Sequence, residues 1–255
     1  MSSRFAPISR AHWPRMLAAG RAAARTLAKA GAALSPGIPT ARIDQLVRRH
    51  TKALGGRPSQ LGYKGFPAAV CTSRNEVVCH GIPSTQDILH DGDIVNIDVT
   101  TELRGWHGDT SATFFVGRPS PEARHLVETA ERCRDAGIAA ARVGARLGVV
   151  GAAIERLATR EGCRVVTAFG GHGIGRRMHE GPFVRHVGPA EVGPRLKVGH
   201  AFTVEPMLVL GTPEVEILDD DWTVVTRDGL WSAQFEHTVL MTDDGPVVTT
   251  RLAGG

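Results

Sequence analysis

Two acidic residues lie inside neighbouring strand-like segments, where carboxylates are uncommon. Residues 92–117, GDIVNIDVTTELRGWHGDTSATFFVG, have the pattern of two strands joined by a short polar turn, and each strand contains one aspartate, Asp98 or Asp109. Side chains alternate between the two faces of a strand, so Asp98 lies on the face opposite to Val95 and Ile97. The two carboxylates can therefore share one face, which is either a solvated surface or a site for chemistry.

The second half of the chain repeats this arrangement. A glycine precedes Asp98 by six residues, and another glycine precedes Glu205 by six, with an alternating apolar segment between them in both cases. Each half then carries a further acid in its next strand, Asp109 in the first and Glu236 in the second. This repetition predicts two half-domains that are related by an internal twofold and bring their acids together.

Four clustered carboxylates with a nearby imidazole, that of His172, favour a site for divalent cations. Like charges a few Å apart raise each other's pKa, and bound cations relieve that repulsion. Five ligands are too many for one four-coordinate zinc. They suit two metals about 3.5–4 Å apart, which share bridging carboxylates and activate a water as nucleophile. Ligands that are mostly oxygen suit Mn, Fe or Co as readily as Zn.

The glycine-rich loop at residues 170–182, GGHGIGRRMHEGP, matches neither a phosphate-binding loop nor a zincin helix. It lacks the Gly-Lys-Ser/Thr of a phosphate loop, and Phe183 stands where a zincin helix has its second histidine. The chain also contains no GxSxG nucleophile elbow. The loop is therefore predicted to be a turn that brings His172 and His179 close together.

The composition is that of an ordinary globular protein whose cysteines are expected to be free thiols. The chain has 255 residues, of which 42% are hydrophobic and 22% charged, and no apolar run approaches the roughly 18 residues of a membrane span. Its four cysteines form no CxxC pair, which disfavours a Cys-ligated zinc and favours a cytoplasmic setting. These cysteines are Cys71, Cys79, Cys133 and Cys163.

Element order supports the duplication. Helical patterns run from Ser9 to about Ala33, and from a predicted cap at Thr40 to about Leu54. Strand-like segments fill residues 68–116. Two further helices follow, one in residues 120–144 with Ser120 as its cap and one in residues 146–162, and strands return after them. Each half is thus expected to be two helices followed by sheet.

The complete set of motifs resembles the type I methionine aminopeptidases. The blocks are LGYKGFPAAVCTSRNEVVCHGIP (61–83), DGDIVNIDV (91–99), GDTSATF (108–114), GHGIGRRMHEGP (171–182), FTVEPM (202–207) and SAQFEHT (232–238). The short interval between Glu205 and Glu236 leaves no room for the helical insertion of the type II enzymes. The resemblance implies the α+β pita-bread fold, in which two pseudo-twofold-related helix-helix-sheet halves surround an antiparallel sheet. We expect one catalytic domain over residues 1–255, with half-repeats at about 10–118 and 119–250.

Metal ligands follow from the resemblance, position by position. Asp98 is expected to bind one metal and His172 the other, while Asp109 and Glu236 bridge the two. Glu205 is expected to bind the metal held by His172 and to act as base toward the attacking water. The implied cofactors are two divalent metal ions per chain, Co, Mn, Fe or Zn.

Substrate contacts are also implied by the resemblance. His179 is expected to stabilise the tetrahedral oxyanion, and His80 to contact the scissile amide nitrogen or assist its protonation. Aromatic faces and a thiol suit a polarizable thioether, although Cys71 and Trp222 could equally be plain core residues. The side chains expected to line the methionine pocket are Tyr63, Phe66, Cys71 and Trp222.

The implied activity is removal of N-terminal methionine from peptides and nascent proteins when the second residue is small. The alternatives are an X-Pro dipeptidase or aminopeptidase of the same fold, and a non-catalytic pita-bread protein that has lost its metals. The second alternative predicts missing ligands, yet all five are present. We expect a cytoplasmic monomer without membrane or sequence-specific nucleic-acid contacts.

The start of the chain carries no acidic residue before Asp44 and many basic ones, although the net charge of the chain is only +4. The Arg-bearing face of residues 10–29 gives the hypothesis of a transient contact with ribosomal RNA, which would be sensitive to salt. A solvated basic helix is the alternative. A transit peptide has a similar composition, but there is no polar break at which it would be cut.

Overall fold

A computed structural model describes residues 5–252, so both ends of the expected domain, residues 1–4 and 253–255, lie outside the described residues. The helices are α1 (Trp13–Gly31), α2 (Ala41–Ala53), α3 (Pro121–Ala140) and α4 (Gly148–Arg160). The strands of the first half are β1 (Arg57–Pro58), β2 (Cys71–Arg74), β3 (Val77–Cys79), β4 (Ile94–Leu103) and β5 (Trp106–Phe115). Those of the second half are β6 (Arg164–Val165), β7 (Gly171–Gly173), β8 (Glu180–Val184), β9 (Ala201–Val204), β10 (Met207–Val209), β11 (Val215–Ile217), β12 (Val224–Thr226), β13 (Ser232–Gln234), β14 (Glu236–Thr242) and β15 (Gly245–Val248). The predicted order of two helices followed by strands therefore holds in both halves.

The starts of α2 and α3 agree with the sequence in position, but only partly in mechanism. The Ser120 hydroxyl caps α3 by accepting a hydrogen bond from the Ala123 amide at 3.1 Å, and Pro121 occupies the first turn. Thr40 directly precedes α2, yet its side chain does not cap the helix. The Thr40 hydroxyl instead pairs with the backbone of Ser84, whose amide donates to it at 2.9 Å and whose carbonyl accepts from it at 3.2 Å. The predicted cap is wrong because this contact between distant segments satisfies the hydroxyl.

The four inner strands of the main sheet are arranged symmetrically about its centre. Its strands follow the order β1-β4-β5-β14-β9-β7-β8, with β2 paired to β4 and β15 paired to β14. The inner pairs β4–β5 and β9–β14 are each antiparallel, and β5 joins β14 at the centre, also antiparallel. The strands that carry the first-half acids therefore meet those of the second half directly.

Strand register confirms that the two aspartates share a face. Asp98 pairs with Ser111, and Thr100 pairs with Asp109, across β4 and β5. Ser111 also pairs with Glu236 across β5 and β14. Residues that pair directly across antiparallel strands point to the same side of a sheet. Asp98, Asp109 and Glu236 therefore lie on one face.

The helices pack against the other side of the central strands. Helix α1 crosses β5 where Gly20 meets Gly108, and a Cβ on Gly108 would lie 2.4 Å from the Gly20 Cα. Only glycine allows this approach of helix to strand. All four cysteines are free and buried. No helix in residues 5–252 combines the length and the apolarity that a membrane crossing needs.

Candidate metal centre and substrate cleft

One cleft of about 340 Å³ brings together every residue that the sequence singled out for chemistry. It lies on the acid-bearing face of the central strands and is lined partly by carboxylates and partly by aromatic and sulfur-containing side chains. The predicted residues that line it are His80, Asp98, Asp109, His172, His179, Glu205, Glu236, Tyr63, Phe66, Cys71 and Trp222.

In the first half of the site, strand β4 supports the carboxylate of β5. The Thr100 hydroxyl donates to Asp109 Oδ1 at 2.6 Å, which orients that carboxylate from the neighbouring strand. The Asp109 backbone is fixed from β14, because its amide donates to the Thr238 hydroxyl at 2.9 Å. Asp98 differs, since its Oδ1 is buried and has no hydrogen-bond partner among the described residues. A buried carboxylate oxygen without a donor is costly unless a cation binds it.

The second half supports its acids in a related way. The Thr203 hydroxyl donates to Glu205 Oε1 at 2.5 Å. The Glu205 amide donates at 3.1 Å to Nε2 of His186, a buried histidine behind the site. Oxygen Oε1 of Glu236 is buried and, within the described residues, has no partner. Each half of the site therefore contributes one carboxylate oriented by a threonine and one with an unpaired oxygen.

All four carboxyl groups have raised pKa values. Burial raises the pKa of Asp109 to about 7, against the hydrogen bond from Thr100, which lowers it. Burial, and after it the charge of Asp109, raises the pKa of Asp98 well above its ordinary range. Burial also dominates for Glu205 and Glu236, whose pKa values rise further through the neighbouring carboxylates. Without a counter-charge, this cluster cannot ionise fully near neutral pH.

The imidazole of His172 faces the acids with a free lone pair. Its Nδ1 lies 3.0 Å from the Gly173 carbonyl, which can only accept, so Nδ1 carries the proton and Nε2 does not. Burial and the nearby His179 lower the pKa of His172 to about 3, which keeps the ring neutral. Nitrogen Nε2 lies 3.6 Å from Asp109 Oδ2 and 3.7 Å from Glu205 Oε1. These distances are too long for hydrogen bonds and leave room for a shared cation.

The donor set fits divalent metal. Ligand atoms of Asp109, His172 and Glu236 all lie within 4.8 Å of one another. Asp98, with its unpaired Oδ1, and Glu205, whose Oε1 lies 3.7 Å from His172 Nε2, are two further donor residues in the same cleft. A neutral imidazole and four carboxylates are ligands of the kind that Mn, Fe, Co and Zn accept.

His179 stands at the rim of the cleft and is held by the only tyrosine of the chain. Its Nδ1 lies 2.9 Å from the Tyr63 hydroxyl, and its ring centroid lies 4.1 Å from that of His172. Partial burial, together with the charges of His80 and Lys64, lowers the pKa of His179 to about 4. A neutral ring whose Nδ1 accepts the phenol proton carries its own proton on Nε2, the atom available for a substrate.

The apolar side of the cleft is built from sulfur and aromatic rings. Phe66 and Trp222 meet edge to face with centroids 5.1 Å apart, and Cys71 belongs to the same buried cluster. Burial raises the pKa of the Cys71 thiol well above its ordinary value, so it is a neutral wall and not a nucleophile. His80 closes this side with an uncommon backbone φ of 57° and packs edge to face on Phe169 at 5.6 Å.

The sequence reasoning missed the residues that support the ligands. Thr100 could have been found, because it lies two positions after Asp98 on the same strand face. Thr203 precedes Glu205 by the same spacing. No local pattern marks His186, or Gln60, whose amide binds the strand that carries Asp98.

Known proteins match this chain over almost all of its length. Metallopeptidase family M24 matches residues 14–243. Methionine aminopeptidase A of Synechocystis sp. is 46% identical over 250 residues, which cover 98% of this chain and 99% of that protein. The crystal structure of methionine aminopeptidase from Rickettsia prowazekii has a TM-score of 0.95 and 40% identity, covering 96% of this chain and 99% of that chain. The predicted α+β pita-bread fold is confirmed by this agreement.

Proline-specific peptidases share the fold at much lower similarity. A prolidase from Pyrococcus furiosus has a TM-score of 0.76 at 19% identity, and the match covers 96% of this chain but 65% of that one. Identity this low concerns the fold alone. The runner-up from the sequence, an X-Pro peptidase, is therefore not favoured.

Proposed function

The chain belongs to metallopeptidase family M24 and has methionine aminopeptidase function, and we propose that it removes N-terminal methionine from nascent proteins whose second residue is small. The observation that carries this proposal is the single cleft in which unpaired carboxylate oxygens lie beside an apolar pocket of aromatic and thiol side chains. We further propose that it acts as a single catalytic domain and a monomer in the cytoplasm. Its four free cysteines suit that reducing compartment.

The proposed cofactor is a pair of divalent ions, Co, Mn, Fe or Zn. Asp98 would hold one ion and His172 the other, with Asp109 and Glu236 shared between them and Glu205 beside His172. When bound, such ions lower the pKa of water and polarise a carbonyl, which supplies the nucleophile and the electrophile of peptide hydrolysis. The ligand set is supported by the unpaired oxygens and by the neutral imidazole described above.

The protein's own groups then move the protons. Glu205, oriented by Thr203, accepts a proton from the attacking water. With its Nδ1 accepting the proton of the Tyr63 hydroxyl, His179 donates from Nε2 to the oxygen that becomes negative. His80 contacts the scissile nitrogen and assists its protonation as the amine leaves.

Substrate choice follows from the two ends of the cleft. A free N-terminal amine is attracted to the carboxylate end, which an internal peptide bond cannot reach in the same way. The methionine side chain fills the pocket, in which Met178 is a further polarizable wall. His80 has little freedom to move, because it packs on both Phe169 and Trp222. A bulky second residue would therefore meet a rigid ring.

A peptide series tests this function. Peptides that start Met-Ala or Met-Gly should release methionine quickly, those that start Met-Leu or Met-Lys slowly, and Ala-Pro dipeptides should not be cleaved. Norleucine in place of methionine should cost about 1–3 kcal/mol of transition-state binding at most. Metal content is measured in the same samples, and thorough chelation should abolish release. Preferred cleavage of X-Pro dipeptides, or full activity without metal, would contradict the proposal.

A transient ribosome contact is a further part of the proposed function. On helix α1, Arg15, Arg21, Arg25 and Lys29 are all exposed, and none of them forms an ion pair within residues 5–252. Arg10 is not part of this free set, since it pairs with Asp243 at 2.6 Å. Co-sedimentation with ribosomes should fall steeply as salt rises. A variant with Arg21 and Arg25 changed to Gln should bind ribosomes more weakly. If neither higher salt nor this double substitution weakens binding, helix α1 is only a solvated basic helix.

A further inference from the structure

A gap in the strand pairing lies beside Asp98. Strand β1 pairs with β4 as far as Pro58 opposite Thr101, and β2 begins to pair with β4 at Cys71 opposite Asp98. The intervening chain, residues 59–70, leaves the sheet. It carries Tyr63 and Phe66, two of the side chains that are expected to line the methionine pocket. The edge of β4 between Asp98 and Thr101 therefore lacks a regular strand partner.

The side chain of Gln60 fills this gap in the manner of a peptide group. The Ser59 amide still donates to the Thr100 carbonyl at 2.9 Å, as a continuing strand would. After that residue, Gln60 Oε1 accepts from the Thr100 amide at 3.2 Å, and Gln60 Nε2 donates to the Asp98 carbonyl at 2.9 Å. One primary amide thus binds both a donor and an acceptor of the β4 backbone.

Gln60 also lies close to the site itself. It is buried, it lines the cleft, and its Nε2 is 3.8 Å from Cys71 Sγ. Its main-chain carbonyl accepts from the Tyr63 amide at 3.0 Å, so the same residue anchors the loop that leaves the sheet. The amide therefore connects the backbone of the predicted metal ligand with the wall of the methionine pocket.

We propose that Gln60 is a positioning residue for the metal centre: its side-chain amide fixes the backbone of Asp98, and through it the direction of the Asp98 carboxylate. This inference rests on the proposed role of Asp98 as a metal ligand. Partners that orient a ligand without touching the metal commonly contribute about 10–100-fold to metal affinity. A glutamine suits the task because it offers a donor and an acceptor without adding charge near four carboxylates.

Two substitutions separate orientation from charge. Gln60→Leu removes both hydrogen bonds at similar volume. Gln60→Glu keeps an acceptor for the Thr100 amide, but in its ionised form it cannot donate to the Asp98 carbonyl and it adds a negative charge. Added negative charge alone would strengthen cation binding, so weaker binding in Gln60→Glu isolates the lost N–H. Thr101→Val is the matched control, because Thr101 is buried on the same strand and its hydroxyl has no partner among the described residues.

The experiment titrates metal-free protein with Co²⁺ by calorimetry and records the visible absorption of the bound ion, which depends on ligand geometry. We expect both Gln60 variants to bind about 10–100-fold more weakly with an altered spectrum, and Thr101→Val to match the wild type. Gln60→Glu carries the test alone if Gln60→Leu does not fold. Wild-type affinity and spectrum in the folded Gln60 variants, or tighter binding in Gln60→Glu, would overturn the inference.

Asp98→Asn is titrated with Co²⁺ in parallel. This titration distinguishes failure of the inference about Gln60 from failure of the proposed role of Asp98 as a metal ligand. If Asp98→Asn loses affinity and the Gln60 variants do not, only the inference about Gln60 fails. Unchanged affinity in Asp98→Asn would overturn the proposed role of Asp98, and the inference about Gln60 with it.

Discussion

Replacing Asp109 with asparagine should stabilise the metal-free protein at neutral pH while it impairs the metal site. Burial raises the pKa of Asp109 from the ordinary 3.8 to about 7. A group whose pKa is raised on folding contributes stability that is fully present below the unfolded pKa and is lost as pH rises through the folded pKa. The metal-free wild type therefore loses stability through Asp109 as the pH rises from about 4 to 7, whereas asparagine does not titrate.

The size of this loss follows from the pKa difference. A difference of about 3 pKa units, at about 1.4 kcal/mol for each, gives about 4 kcal/mol for Asp109 alone. The charge of Asp109 also raises the pKa values of Asp98 and Glu236, so its removal relieves these neighbours as well. The free energy of unfolding of Asp109→Asn should thus exceed that of the wild type by about 4 kcal/mol at pH 8, compared with little difference near pH 4.

Comparing two proteins at each pH removes the contribution of the buried histidines. Burial lowers the pKa values of His172, His186 and His237 to about 3. Each of these histidines contributes stability that is lost as the pH falls from 6.5 towards 3. The carboxyl groups instead lose stability as the pH rises, so the two effects oppose each other between about pH 4 and 6.5. This histidine contribution is common to both proteins and largely cancels in the difference.

The assay is urea unfolding in the presence of a chelator, followed by the fluorescence of the four tryptophans, from pH 4.5 to 8. Asp219→Asn serves as the control, because Asp219 is exposed on the surface, and it should follow the wild type throughout. If the wild type gains stability relative to Asp109→Asn as the pH rises, burial does not raise the pKa of Asp109.

Three substitutions test the proposed mechanism through other residues. His179→Ala should lower kcat by about 10²–10³, the scale for losing one oxyanion donor, with metal content unchanged; loss of metal would make His179 a ligand instead. Tyr63→Phe should lower kcat by about 5-fold, since one hydrogen bond of about 1 kcal/mol to His179 Nδ1 is gone, and wild-type kcat would speak against that role. Glu236→Gln should reduce metal content from the proposed two ions towards one and abolish peptide hydrolysis, with an unchanged circular dichroism spectrum; retained activity would refute its proposed role as a shared ligand.

Local periodicity was sufficient to predict the shared face of Asp98 and Asp109. The alternation of side chains along a strand depends only on the neighbouring residues, so it can be read from one segment. The same holds for α3, whose cap at Ser120 lies within its own first turn. The repeated spacing of the acids predicted that two related halves bring their acids together, and the pairing of β5 with β14 joins the two halves in this way.

Contacts between distant segments could not be predicted in this way. Tyr63 reaches His179 across 116 residues, and Gln60 binds the backbone of β4 at a separation of 38 residues. Thr40 has the residue type of a cap, yet a contact with the backbone of Ser84 uses its hydroxyl. In each case the polar side chain could form several different hydrogen bonds, and the tertiary fold determines which partner lies within reach.

The choice of supporting groups explains how the cleft keeps its affinity for cations. A lysine or arginine beside the buried acids would neutralise them and compete with a metal, and among residues 5–252 neither type forms an ion pair with any of the four carboxylates. The side-chain donors are instead neutral: Thr100 orients Asp109, and Thr203 orients Glu205. Neutral donors fix the direction of a carboxylate without cancelling its charge. The resulting cost in stability without metal is the driving force for binding it, because a cation that enters relieves the repulsion that burial creates.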